Sequence, residues 1–267
     1  MKAIILAAGY ATRLRPLTET IAKPLLPVGG RPMIDYIYDK IAEVPEVDAV
    51  YVVTNHKFAL SFQDWSDEHQ VRAGQSGSRQ LPLQVFDDGT LSNEDRLGAI
   101  GDIRFTIERG NLAGDDLLII AGDNLFDFSL ADYVQFWRGK DDGSCIALYE
   151  CPDMELVKEY SIVELDPNDR VTSFVEKPQN PTTNTVGIAT YIYHREHVPL
   201  IEQYLNEGNS PDQPGKYIAW LHKRVPVYGY RFAGEWLDIG NREQLLFADN
   251  QIRARNGLPQ RAEYSID

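Results

Sequence analysis

Arg13, Arg15 and Lys23 stand close behind a run of very small residues, Ala7-Ala8-Gly9. Small residues let backbone N–H groups come close to an anion's oxygens, and guanidinium and ammonium groups add charge to that contact. The ligand type that uses both is a polyphosphate. The apolar run from Ala3 to Ala8 reads as a buried strand, and Gly9 breaks it into a loop carrying Thr12 and Arg13. Neither common phosphate motif is present. A Walker loop needs Gly-Lys-Ser/Thr after four spacer residues, whereas Gly9 leads to Arg13-Leu14-Arg15. The dinucleotide fingerprint fails because position 11 is Ala.

Carboxylates supply the second kind of chemistry. Asp123 follows the strongest apolar run, Asp116 to Ala121. In open α/β sheets ligands bind beyond the carboxyl ends of strands, so an acid there is well placed. Read on its own, Asp123 is better taken as a turn or cap residue. Further along stand Val175-Glu176-Lys177-Pro178 and Trp236-Leu237-Asp238-Ile239-Gly240.

The elements that must carry these residues change character halfway. Apolar positions at helical spacing mark Pro32 to Val44, Phe58 to Glu68 and a helix from Glu94 or Asp95 to Glu108. They alternate with strands at Ala49 to Thr54, Leu83 to Phe86 and Asp116 to Ala121, and Gly74 to Gln80 reads as a polar loop. That alternation predicts a parallel sheet wound with right-handed crossovers. From Ser144 strands dominate: 144–149, 161–165, 171–176, 186–193 and 227–232, with helices near 196–206 and 214–224. The fold expected is α/β, a Rossmann-like, mostly parallel sheet flanked by helices, with a mixed second half. One domain over 1–267 is expected, with halves 1–125 and 126–252 and a polar surface tail at 253–267.

The 267 residues are 43% hydrophobic and 25% charged, an ordinary globular balance, with a formal charge of −14. So acidic a chain repels nucleic-acid backbones and anionic membranes, yet a locally cationic pocket still takes a small anion. No stretch approaches the roughly 20 apolar residues of a membrane span. The run after Met1-Lys2 is too short for a signal peptide. Two cysteines, Cys145 and Cys151, make no disulfide framework and point to a cytoplasmic protein with two small apolar core thiols.

Leu6-Ala7-Ala8-Gly9, Thr12-Arg13-Leu14, Pro16-Leu17-Thr18 and Lys23-Pro24-Leu25-Leu26-Pro27 together resemble the signature of the sugar-phosphate nucleotidylyltransferases. Within that family the chain looks most like a glucose-1-phosphate thymidylyltransferase. The resemblance implies the family's fold, with 1–125 as the nucleotide-binding half and 126–252 as the sugar-phosphate-binding half. It implies a nucleoside triphosphate, most simply dTTP or UTP, as donor and a sugar 1-phosphate as acceptor, with Mg²⁺ as the metal. Arg13, Lys23 and Asp123 become the catalytic residues. Leu6, Ala8, Gly9, Thr12, Arg13, Asn93, Gly98 and Asp123 become nucleotide contacts, and Asp123 and Asp238 the metal ligands. Tyr160, Ser161, Glu176, Lys177, Gly187 and Tyr191 become sugar-phosphate contacts. The resemblance also implies self-association, with no fixed number of subunits. The long C-terminal β-helix of some relatives is missing, so transferase activity alone is expected.

Four positions depart from the family pattern. Ala11 replaces a glycine, which strains it if that position needs a positive φ. Asn241 replaces a threonine and suits a helix N-cap. Ser161 replaces a glycine beside the sugar. The base-reading glutamine is missing ahead of Gly98-Ala99, so Asn93 or Arg96 takes its place, or the stretch is simply a capped helix start. These departures keep open a cytidylyltransferase acting on a sugar or polyol phosphate and a non-catalytic nucleotide-sugar-binding regulatory subunit. A glycosyltransferase is disfavoured, because Gly122-Asp123-Asn124 lacks a second acid.

Overall fold

A computed structural model describes residues 1–76, 79–140 and 142–266. In chain order the first half holds β1 (Lys2–Leu6), β2 (Pro27–Val28), β3 (Arg31–Pro32), α1 (Met33–Ala42), β4 (Ala49–Thr54) and α2 (Ala59–Ser76). It continues with β5 (Leu83–Asp87), α3 (Ala99–Gly110), β6 (Leu117–Ala121) and β7 (Asn124–Phe126). The second half holds α4 (Leu130–Arg138), β8 (Ser144–Glu150), α5 (Met154–Val157), β9 (Ser161–Leu165), β10 (Val171–Glu176) and β11 (Thr185–Tyr193). After these come α6 (Leu200–Asn206), α7 (Pro214–Leu221), β12 (Val227–Arg231), β13 (Trp236–Asp238) and α8 (Arg242–Arg255).

Among the described residues a single nine-stranded sheet runs through both halves. The strands β6, β1, β4 and β5 are parallel neighbours. Strand β11 then joins β6 antiparallel, and β8 and β9 both pair with β11. The expected α/β fold with a mixed second half is what forms. Strands covered on both faces must be apolar throughout, which is why β1, β4 and β6 carry almost no polar residue. Along β1, Ala3 and Ile5 face one core with α1, α2 and α4, while Ile4 faces the other with α3, α6 and α7. Both isoleucines are fully buried, each contributing about 2 kcal/mol by leaving water.

Several boundaries differ from those expected. Helix α3 starts at Ala99, not Glu94. Gly98 has φ 78°, which ends any helical approach, and the Asp95 carboxylate closes a turn by accepting from the amides of Leu91 at 3.0 Å and Ser92 at 2.7 Å. Residues 74–76, expected in a loop, complete α2; Gly77 and Ser78 lie outside the described residues. Helix α6 begins only at Leu200, because Pro199 at its N-cap has no amide to give. The 253–266 segment is mostly exposed but anchored: Arg253 is buried, and the Tyr264 hydroxyl donates to the Pro27 carbonyl at 2.7 Å.

Candidate active site

A cavity of about 400 Å³ opens at the carboxyl ends of β1 and β6. Leu6, Ala7, Ala8 and Gly9 form one wall, and Arg13, Lys23, Asp123 and Gly240 gather at one end. Gly9 is exposed, and a Cβ built on it meets nothing within 4 Å, so the loop leaves free space beside its backbone. Ala11, at the head of a short turn over Thr12–Leu14, has φ 43° and ψ 47°. The left-handed conformation that glycine would supply is therefore required, and alanine adopts it at a cost of about 1 kcal/mol. The Thr18 hydroxyl donates to the Ala11 carbonyl at 2.9 Å and holds the turn. Thr12 is exposed on this turn and does not line the cavity.

The acids reach the same end by separate routes. Gly122 precedes Asp123 where a Cβ would lie 2.8 Å from Pro24 and 2.9 Å from the Leu6 carbonyl, so only glycine lets β6 pack this closely on Lys23-Pro24. Lys23 Nζ then meets Asp123 Oδ2 at 2.5 Å. Strand β13 pairs antiparallel with β7, setting Asp238 opposite Asn124 and so beside Asp123. Asn124 fixes that junction: it donates to Thr190 Oγ1 at 3.0 Å and accepts from the Trp236 indole. Burial above all, then the Asp123 charge, raises the Asp238 carboxyl, while Lys23, Arg13 and the Tyr160 hydroxyl pull it down. Tyr160 is itself pushed up, first by burial and then by Asp238. Asn241 caps α8, accepting from the Gln244 amide at 2.9 Å.

Two neighbouring carboxylates, Asp123 on the cavity lining and Asp238 beside it, suit a hard divalent cation whose other positions go to phosphate oxygens and water. Among the described residues no group of three or more His, Cys, Asp or Glu surrounds them. The donor set fits Mg²⁺ held partly by a substrate.

The opposite end of the cavity is lined by Asn93, Arg96, Gly98, Ala99, Asp102 and Asp212. A Cβ on Gly98 would lie 2.7 Å from the Pro211 carbonyl, so the backbone here is pressed against the segment before α7. Arg96 grips Asp212 through Nε at 3.1 Å and Nη2 at 2.9 Å, and its Nη1 donates to the Asn93 carbonyl at 2.5 Å.

The residues expected to contact the sugar phosphate, Tyr160, Ser161, Glu176, Lys177, Gly187 and Tyr191, are not part of this lining. Ser161 is buried and donates to Glu176 Oε2 across the β9–β10 pair. A Cβ on Gly215 of α7 would lie 2.6 Å from that same Oε2, so α7 closes over the pair. Lys177 is exposed, with φ 44° and its ammonium 3.9 Å from Glu159. Gly187 packs on Ile146, where a Cβ would lie 2.7 Å away. Tyr191 is buried, stacked on Tyr193 at 5.9 Å, with its hydroxyl raised first by burial and then by Glu176. Asp102, Asp212 and Ala189 carry no mark in the sequence that points to a site; nothing in their spacing singles them out, and only the fold brings them to the cavity.

Residues 2–255 match the family model described as nucleotidyl transferase. A glucose-1-phosphate adenylyltransferase of Clostridium acetobutylicum is 29% identical over 256 residues, 94% of this chain and 66% of that protein. A UTP–glucose-1-phosphate uridylyltransferase of Synechocystis is 30% identical over 244 residues, 90% of this chain and 60% of that protein. This chain thus spans a little under two thirds of the length of both. A solved UDP-glucose pyrophosphorylase in complex with UDP-glucose shares the fold, with a TM-score of 0.79 at 20% identity over 95% of this chain and 98% of that one.

Proposed function

Because this chain belongs to the nucleotidyl transferase family, we propose that it moves a nucleotidyl group from a nucleoside triphosphate to a sugar 1-phosphate, releasing pyrophosphate and an NDP-sugar. The observation that carries this reading is the convergence of Arg13, Lys23 and Asp123 at one end of a cavity large enough for a nucleotide, with Asp238 beside them. Glucose 1-phosphate is the acceptor to try first, since the names of both curated relatives carry it. UTP and dTTP are the donors expected, although those two names divide between adenylyl and uridylyl transfer.

In the reaction an oxygen of the sugar phosphate attacks the α-phosphorus. The bond from that phosphorus to the bridging oxygen breaks, and the electron pair leaves with pyrophosphate. The nucleophile is already an anion, so no general base is needed, and catalysis is positioning plus charge stabilisation. The backbone at Ala8-Gly9 admits the phosphates. Arg13 holds the charge that builds on the leaving pyrophosphate, and Lys23 neutralises the transferred phosphoryl group. Glu176, oriented by Ser161, accepts from sugar hydroxyls, and Lys177 swings from Glu159 to the incoming phosphate. Asp123 and Asp238 would hold Mg²⁺, which when bound supplies Lewis-acid polarisation of the phosphate.

The test is to incubate the protein with Mg²⁺, each of ATP, CTP, GTP, UTP and dTTP, and a panel of sugar 1-phosphates, measuring pyrophosphate and identifying the product by mass. Release with at least one pair is expected. No release with any pair would refute the proposal.

A further inference from the structure

Two aspartates meet at the end of the cavity away from Asp123 and Asp238. Asp102, in the first turn of α3, lines the cavity and is only 6% exposed. Asp88 follows β5, and its Oδ1 is saturated by the Thr90 amide and hydroxyl, both at 2.7 Å. Asp88 Oδ2 and Asp102 Oδ1 are both fully buried, and neither has a donor. The two side chains are within hydrogen-bonding reach of each other. Two facing acceptors buried together are satisfied by one proton between them.

Every other group facing the pair leaves that proton in place. Asp212, before α7, and Asp87, beside Asp88, add further negative charge. Tyr10, after β1, is tied to the Thr90 hydroxyl at 3.2 Å, with Asp95 beyond it. The cation at this end, Arg96, is bound to Asp212 and to the Asn93 carbonyl. Burial first, then the Asp88 charge, raises Asp102 to about 8, and burial raises Asp88 as well.

We propose that Asp102 reads the nucleobase: one of its oxygens shares a proton with Asp88, and the other accepts a hydrogen bond from a base N–H in the cavity. This rests on the nucleotide-binding reading above. Whichever aspartate owns the shared proton, the oxygen of Asp102 turned to the cavity is an acceptor. A carboxylic acid so held presents to the base what the carbonyl of a primary amide would. It fills the role for which the sequence offers no glutamine, while Arg96 is spent in fastening the loop. Once the shared proton leaves, a second negative charge stands near a polyanionic ligand, and binding weakens.

The test is calorimetric titration of the five triphosphates, with Mg²⁺, into the wild type, Asp102→Asn and Asp102→Ala at pH 7 and pH 9, after thermal unfolding has checked each fold. The wild type is expected to prefer one triphosphate and to lose affinity at pH 9. Asp102→Asn keeps the preference and loses the pH effect, because its carbonyl faces the base and its NH₂ donates to Asp88. Asp102→Ala loses roughly tenfold for the preferred triphosphate and less for the others, which flattens the ranking. An unchanged ranking in Asp102→Ala, or an equal loss in Asp102→Asn, would overturn the proposal, as would a wild type that binds no triphosphate. Selective binding without pyrophosphate release would refute the transfer reaction and leave the base reading standing.

Discussion

The proposed phosphate end of the cavity and the proposed sugar side are assembled by opposite strategies. At the phosphate end, charges come from separate segments, carrying Arg13 and Lys23, Asp123, and Asp238 beside them, and a glycine-bearing loop leaves backbone open there. On the sugar side, Ser161 and Glu176 belong to adjacent strands fifteen residues apart and are already hydrogen-bonded to each other. The phosphate end is thus a gathering of repelling and attracting charges that a ligand completes. The sugar side is a finished polar pair under α7. Loss at the first should strike the chemical step, and loss at the second should strike binding of one substrate.

The largest effect expected tests the phosphate end. Asp123→Asn or Arg13→Ala should lower the turnover number by about a thousandfold or more, with thermal unfolding little changed. Near-normal pyrophosphate release in both variants would erase the contrast. On the sugar side, Ser161→Ala frees Glu176 and should raise KM for the sugar phosphate about tenfold. KM for the triphosphate should stay constant. Equal rises in both would mean that the two regions act as one.

The third prediction concerns stability and pH. Folded Asp102 keeps its proton up to about 8, whereas an unfolded aspartate releases it near pH 4. Stability is therefore greatest below about pH 4 for this group and falls as pH rises from there to about 8. Asp102→Asn should remove that decline and be the more stable protein at pH 8 by more than about 1.4 kcal/mol, the worth of a tenfold difference in proton affinity between the folded and unfolded chain. Melting curves at pH 5, 7 and 9 would show it, and parallel curves for the two proteins would contradict it. The smallest effect is at Ala11. Glycine there relieves the left-handed strain but loosens the unfolded chain, for a net gain of about 0.5 kcal/mol in denaturant titration.

The sequence made the sheet visible because its central strands are unbroken apolar runs, and it made the phosphate loop visible because small residues and cations recur at fixed offsets. At position 11 the missing glycine left two possibilities, a positive φ or a mere need for a small residue, and the fold takes the first, with φ 43°. Other features left no such trace. The strands β7 and β13 are three residues each, too short to show alternation. In α8 the buried Leu245, Ala248 and Ile252 are diluted by polar neighbours. In sequence Asp102 is one more acid inside the helix expected from Glu94 or Asp95 to Glu108. Only the approach of Asp88 from β5 turns it into half of a proton-sharing pair.

Strand β11 ties the proposed phosphate end and the proposed sugar side to each other. It borders β6, β8 and β9, its Thr190 hydroxyl accepts from Asn124, and its Ala189 lines the cavity. The spacing between the Asn124 junction and the Ser161–Glu176 pair is therefore set along one backbone. A one-residue slip along β11 would turn its side chains to the opposite face and disturb its pairing with β6 and β9 together.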